Sequence, residues 1–205
     1  SVINTAQNGR SSKSFRDEGL WDQALAEKGD YYLIQFGHND QPGKGKARET
    51  DPATTYPENL ARFVDEVRAQ GGQPVLVTSL TRRTFSKKEP GRIESTLTPW
   101  ADAVKRVAAE KKVPVIDLHT LSIAYCEKLG PERTAALNFP DPSGKIDTTH
   151  LQGDGRVIFA RLVVDELRRV VPALAPVLRA ERLSPLTLWY KQPAVNWVEA
   201  LPVGN

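Results

Sequence analysis

Three short apolar runs, residues 31–36 (YYLIQF), 74–78 (PVLVT) and 113–118 (VPVIDL), recur between longer stretches whose apolar residues fall at helical spacing. A run of five or six residues with so little polar alternation has no face to give to water, so it reads as a strand covered on both sides. Such strands, alternating with helices, build a parallel sheet between two helical layers. The fold class expected is α/β, layered α/β/α.

The connecting stretches agree. Phe15, Leu20, Trp21, Ala24 and Leu25 make a helical stripe to about residue 28, opened by the turn Asn8-Gly9-Arg10-Ser11-Ser12 and closed by Gly29-Asp30. Leu60, Phe63, Val64 and Val67 mark a second helix between Pro57 and Gly71-Gly72. Leu97, Trp100, Ala101, Val104, Val107 and Ala108 mark a third, residues 119–129 a fourth, stopped by Gly130-Pro131, and residues 155–171 a last. Val2-Ile3-Asn4 reads as the end of a further short strand. Residues 41–55, 81–91 and 138–145, rich in turn-forming and polar residues, read as loops. The first two follow strands at their carboxyl ends, where open α/β folds place their chemistry.

Composition removes several function classes. With 40% apolar and 26% charged residues in a chain of 205, there is material for one sizeable core, and the chain is unlike a disordered one. No apolar run nears the ~18 residues of a membrane span, so no membrane partner is expected. The net charge is +3, but Arg82, Arg83, Lys87, Lys88, Arg168 and Arg169 are scattered among acids, which describes a solvated surface and not a nucleic-acid footprint. The single cysteine, Cys126, allows no internal disulfide and reads as a small residue on an apolar helix face, not a catalytic thiol. The chain opens SVINTAQNG, without the basic start or apolar centre of a signal peptide, and contains no Met; it reads as a processed or excised piece.

Two distant stretches carry the candidate chemistry. At Asp147-Thr148-Thr149-His150 an acid precedes a histidine by three residues, so Asp147 could orient one ring nitrogen of His150 and leave the other to accept a proton. A capping Asp beside a surface His is the plainer alternative. The first strand run ends in Gly37-His38-Asn39-Asp40. A side-chain amide there, that of Asn39, could donate to a developing oxyanion, or merely support a turn. The backbone N–H of Gly9, in a tight turn before a helix, could join it. His38, Asp40, Asp147 and His150 are also plausible ligand types for a divalent metal, but no HxH or HExxH pair accompanies them, and no metal or other cofactor is expected. His119 and Asp117 read as structural, Asp117 as a helix cap.

Taken together, NGRSSKSF, FGHND, VLVTSLTRRTF and DTTH resemble the SGNH (GDSL-type) hydrolases, and within them the rhamnogalacturonan acetylesterase branch of carbohydrate esterases. The resemblance covers roughly residues 1–171. It implies a flavodoxin-like parallel sheet and a metal-free serine esterase that removes acetyl groups from sugars, so that the partner would be an acetylated oligo- or polysaccharide or a small ester. It further implies Gly9 and Asn39 as oxyanion donors, His150 as general base and Asp147 as its orienting acid. His38 and Asp40 flank Asn39 and are expected to touch substrate. A family acting on plant cell-wall polysaccharide would be secreted or periplasmic.

The chain departs from that family in one respect. The family's nucleophilic serine lies in a Gly-Asp-Ser motif after its first strand, and this sequence contains no Gly-Asp-Ser. The first strand, central in the family's sheet, is therefore expected to be missing. Ser11 and Ser12, directly after the oxyanion turn, are the serines nearest the expected site and the candidate substitutes. Residues 1–178 would form the hydrolase domain and residues 179–205 a linker and extended tail. Within that tail LTLWYKQPAVNWVEALPVGN resembles the opening of the β-domain of inverting α-L-fucosidases, as at the start of a following domain. Leu186-Thr187-Leu188-Trp189-Tyr190 is a candidate to pair into the gap left by the first strand, within one chain or by exchange in a homodimer.

Overall fold

A computed structural model describes residues 1–140 and 143–179. The first apolar run forms β1 (Tyr31–Ile34), the second β2 (Gln73–Val77) and the third β3 (Val115–Ile116). They lie parallel in the order β1-β2-β3, with Tyr31 opposite Gln73, Ile34 opposite Leu76, and Val77 opposite Ile116. β3 is shorter than the apolar run because its flanks are spent otherwise. Pro114 has no N–H to give a ladder, and Asp117 leaves the strand to cap α5 (Leu118–Leu129), accepting from Thr120 N at 3.2 Å.

Successive side chains of β2 point to opposite faces, and both faces are covered. On one side Leu76 and Ile34 meet α1 (Ser12–Asp17), α2 (Leu20–Ala26), α3 (Thr55–Ala69) and α4 (Thr98–Lys111) in one apolar cluster. The α3 stripe Tyr56, Leu60, Phe63, Val64 and Val67 is fully enclosed there. Phe63 stacks on Phe36 with centroids 5.3 Å apart and takes the edge of Trp21 at 4.4 Å. On the other side Val75, Val77 and Ile116 pack on Leu167 and Val171, at the end of α7 (Gly153–Val170). The expected three layers are present.

Three local expectations need correction. The first helical stripe is two helices, because Gly19 takes a left-handed φ of +72° between α1 and α2. Val2-Ile3-Asn4 is not a strand; Val2 and Ile3 are largely exposed. The supposed loop at 138–145 is flanked by pairing residues: β4 (Asn138–Pro140) runs antiparallel to β5 (Ile146–Leu151), with an irregularity between Asn138 and Phe139. Pro140 is tolerated because this ribbon has two strands only, and Ile146, Thr148 and Thr149 supply β-branched side chains. A short helix α6 (Pro131–Ala135) precedes the ribbon, and a 3₁₀ turn (Pro172–Val177) follows α7. The tail strand at 186–190 lies outside the described residues.

Candidate active site

The turn after β1 is fixed from three sides. The Phe36 carbonyl accepts the hydroxyls of Tyr56 at 2.8 Å and Ser79 at 2.7 Å. Gly37 then takes φ +138°, and a Cβ there would stand 2.2 Å from Ser79 Oγ, so the turn requires glycine. Asp40 N–H closes it by donating to the Gly37 carbonyl at 3.1 Å.

Asp40 is turned into the protein. It is fully buried, and its carboxylate accepts the Ser12 hydroxyl at 2.5 Å, the Ser12 N–H at 3.1 Å and the Thr50 hydroxyl at 3.0 Å. Burial raises its pKa, against the pull of those donors. The expectation of a substrate contact at Asp40 is therefore replaced by an anchor. It ties the start of α1, and with it the Gly9 turn, to the end of β1.

That anchor also disposes of the two candidate serines. Ser12 is fully buried, with its hydroxyl given to Asp40 and reached by Asn59 Nδ2 at 3.2 Å. Ser11, equally buried, is the N-cap of α1: its Oγ accepts from Ser14 N at 3.1 Å while Ser14 Oγ accepts from Ser11 N at 3.0 Å. Both hydroxyls are occupied in closing a helix end.

Asn39 and Gly9 are brought together. Asn39 Nδ2 donates to the Arg10 carbonyl at 3.3 Å, which places the amide against the turn in which Gly9 holds φ +75°. The second amide hydrogen of Asn39 and the Gly9 N–H have no partner among the described residues. His38 packs inward. Its Nε2 is buried with no hydrogen-bond partner among the described residues. Burial, then the positive charge of Arg82, lowers its pKa to about 4, so the ring is neutral at pH 7.

Asp147 and His150 meet on β5, not at the mouth of a loop. His150 Nδ1 lies 2.7 Å from Asp147 Oδ2, and Asp147 Oδ1 accepts the backbone N–H of Thr149 at 2.8 Å and of His150 at 3.0 Å. A carboxylate can only accept, so Nδ1 carries the proton and Nε2 is left as the acceptor. Partial desolvation raises the Asp147 pKa, but the His150 and Thr149 donors outweigh it and hold it at about 2. The His150 side chain is 62% exposed. No hydroxyl among the described residues hydrogen-bonds its ring.

The β1 turn and the β5 dyad lie either side of one dipeptide: Arg82 reaches the His38 carbonyl at 3.4 Å and Arg83 the His150 carbonyl at 2.6 Å. Among the described residues no group of three or more His, Cys, Asp or Glu is placed to hold a metal ion. Asp40 and Asp147 have their oxygens committed elsewhere. His119 is buried and bonded to the Ser79 carbonyl, and Cys126 is buried, its thiol pushed up to about 11 by desolvation. One concavity lies away from His150. It is a groove of about 210 Å³ between residues 3–7 and the open edge of β1, floored by Phe15, Trp21 and Phe36.

The chain as a whole resembles known proteins. The model of the GDSL-like lipase/acylhydrolase family matches residues 1–155. This chain belongs to that family. It is 42% identical over 182 residues to the rhamnogalacturonan acetylesterase RhgT of Bacillus subtilis (strain 168), a match covering 82% of this chain and 75% of RhgT. It is 33% identical over 183 residues to YesY of the same organism, covering 88% of this chain and 82% of YesY. Among solved structures, that of YxiM from Bacillus subtilis has a TM-score of 0.70 at 34% identity and covers 82% of this chain. The match spans 46% of the YxiM chain, less than half its length. The family membership accounts for the α/β/α layering and the position of the β1 turn at a strand's carboxyl end.

Proposed function

We propose that the chain is a carbohydrate deacetylase that works by serine-type acyl transfer, with His150 as general base, Asp147 as the acid that orients it, and Gly9 N–H with Asn39 Nδ2 as oxyanion donors. The observation that carries this is the 2.7 Å contact of His150 Nδ1 with Asp147, which fixes the tautomer that leaves Nε2 basic and exposed. Nε2 would take the proton of the attacking hydroxyl as its oxygen adds to the acetyl carbonyl, then give it to the departing sugar oxygen. A water deprotonated by the same nitrogen would then add to the acyl-enzyme, releasing acetate and returning the hydroxyl. The tetrahedral oxyanion would receive the two free N–H groups; one such donor is worth about 3 kcal/mol of barrier in acyl transfer. The acetylated sugar is proposed from the relative RhgT, whose name specifies rhamnogalacturonan.

A second reading has one observation in its favour. Since no hydroxyl among the described residues reaches His150, the domain could bind acetylated sugar without turning it over. One experiment separates the two. The purified chain is assayed on p-nitrophenyl acetate and on acetylated pectic oligosaccharide, then treated with a fluorophosphonate and digested for mass spectrometry. Turnover lost in His150→Ala, with phosphonate on one serine, supports the esterase and names its nucleophile. Binding of the oligosaccharide with rates equal to those of His150→Ala, and no labelled serine, supports the binding domain. The open edge of β1 is also proposed as the surface by which two copies pair.

A further inference from the structure

Arg82 and Arg83 are consecutive, and they reach in opposite directions. Arg82 sends Nη2 to the His38 carbonyl at 3.4 Å and Nη1 to the side chain of Gln41, gripping the turn that presents Asn39. Arg83 reaches the other way. Its backbone N–H donates to the Thr148 carbonyl at 3.0 Å, Nη2 to the His150 carbonyl at 2.6 Å, and Nε to Asn138 Oδ1 at 2.6 Å. Thr84 adds a hydroxyl contact to Thr148 at 3.2 Å. One dipeptide thus touches both the β1 turn and both strands of the β4–β5 ribbon.

The energetics favour a positional role. Arg83 is 3% exposed, and neither arginine has a carboxylate within ion-pair distance among the described residues. Burial lowers the Arg83 guanidinium's pKa and outweighs the Asp147 carboxylate, which acts on it only from beyond ion-pair distance, so holding this charge inside costs folding energy. What it supplies is geometry, because a planar fork with five donors can fix several acceptors at once. The ribbon needs that, since among the described residues it pairs with no strand of the parallel sheet.

The geometry points to Arg82-Arg83 as a two-sided clamp that sets the distance between the proposed oxyanion donors and the proposed base. Both are positioning residues, and neither touches substrate. This rests on the roles proposed above for His150 and Asn39, but its test does not depend on turnover.

The chain has three histidines, so its imidazole nitrogens can be followed individually by ¹⁵N NMR. In the unaltered chain His150 is expected as the Nδ1–H tautomer. In Arg83→Gln the ribbon loosens, and His150 shifts to a mixture of tautomers while the Asn39 side-chain amide signal stays in place. In Arg82→Gln the Asn39 signal moves and the His150 tautomer is kept. Arg83→Lys keeps the charge without the fork and should behave like Arg83→Gln. His119 reports whether each variant remains folded. If Arg83→Gln does not fold, Arg83→Lys and Asn138→Ala read the same contact with a smaller loss. Where the chain hydrolyses ester, each arginine variant should lower kcat by roughly 10- to 100-fold with KM little changed. Unmoved His150 and Asn39 signals in folded variants overturn the clamp. Moved signals in a chain that hydrolyses nothing uphold the clamp and overturn the esterase reading instead.

Discussion

The Asp40 carboxylate lies directly beneath the first residue of α1 and receives both the hydroxyl and the backbone N–H of Ser12, 28 positions away in sequence. Removing it strands three buried donors, those two and the Thr50 hydroxyl. Asp40→Ala should cost about 3 kcal/mol, and Asp40→Asn, which keeps one acceptor, about 1 kcal/mol. Because burial raises the folded-state pKa of Asp40, the native protein's stability falls as pH rises through that pKa. The Asp40→Asn penalty is therefore largest below pH 4 and shrinks toward neutrality. Urea melts at several pH values check both statements.

Gly37→Ala should disable the site without a large cavity or charge change. The new methyl would meet Ser79 Oγ at 2.2 Å at a φ of +138°, so the turn bearing Asn39 must shift. We expect a loss of about 1–3 kcal/mol in stability and a displaced Asn39 amide signal. An unmoved amide in a stable Gly37→Ala chain would refute the tight approach.

Acid should destabilise the protein in two steps. His38 has its folded pKa depressed to about 4, so the stability present above its unfolded value near 6.5 is lost as pH falls from there toward 4. Asp147, depressed to about 2, adds a second loss between its ordinary value near 3.8 and about 2. His38→Gln should flatten the first step and Asp147→Asn the second. An NMR titration should find His38 still neutral at pH 5.5.

Asp147→Asn tests the dyad by its chemistry. The amide can offer Nδ1 a donor in place of an acceptor, so His150 would turn or change tautomer while the fold is kept. We expect esterase activity to fall by 100-fold or more, with melting changed by only a few degrees. Activity retained in both Asp147→Asn and His150→Ala would remove the proposed base.

The outer edge of β1 carries no partner strand among the described residues, and Leu33 there is 47% exposed. An uncovered edge of this kind is a template for another chain. Sedimentation should show concentration-dependent association, and Leu33→Lys should suppress it. A monomer at all concentrations in the unaltered chain would remove the pairing proposal.

How far the sequence reveals all this depends on the scale of the interaction. Runs such as 31–36 and the stripe Leu60, Phe63, Val64 and Val67 are periodic and local, so strands, helices and layers are legible from them. The Asp147–His150 contact is legible too, because a short acid readily accepts the backbone N–H groups two and three residues on, which turns its other oxygen to the His150 ring. The burial of Asp40 is not legible, because its partner Ser12 is remote in sequence and burial leaves no local mark. Ser11 and Ser12 look like nucleophiles only until their capping bonds are seen. The β4–β5 ribbon was hidden by Pro140 and Gly144, although Ile146, Thr148 and Thr149 carried a β signal. Arg82 and Arg83 looked like solvated charge, since nothing in a linear reading separates a surface arginine from a buried one.

The placement of His150 on a two-stranded ribbon outside the parallel sheet should put it on the part of the molecule that opens first on heating. The ribbon leans on the small cluster of Leu137, Ile158 and Phe159 and on the Arg83 fork, whereas the β1 turn is rooted in the main core. Such a ribbon can open as a unit well below the global transition. Heat should therefore silence the histidine end first, with far-ultraviolet ellipticity still near its native value, and cooling from that intermediate should restore function without refolding the body of the chain.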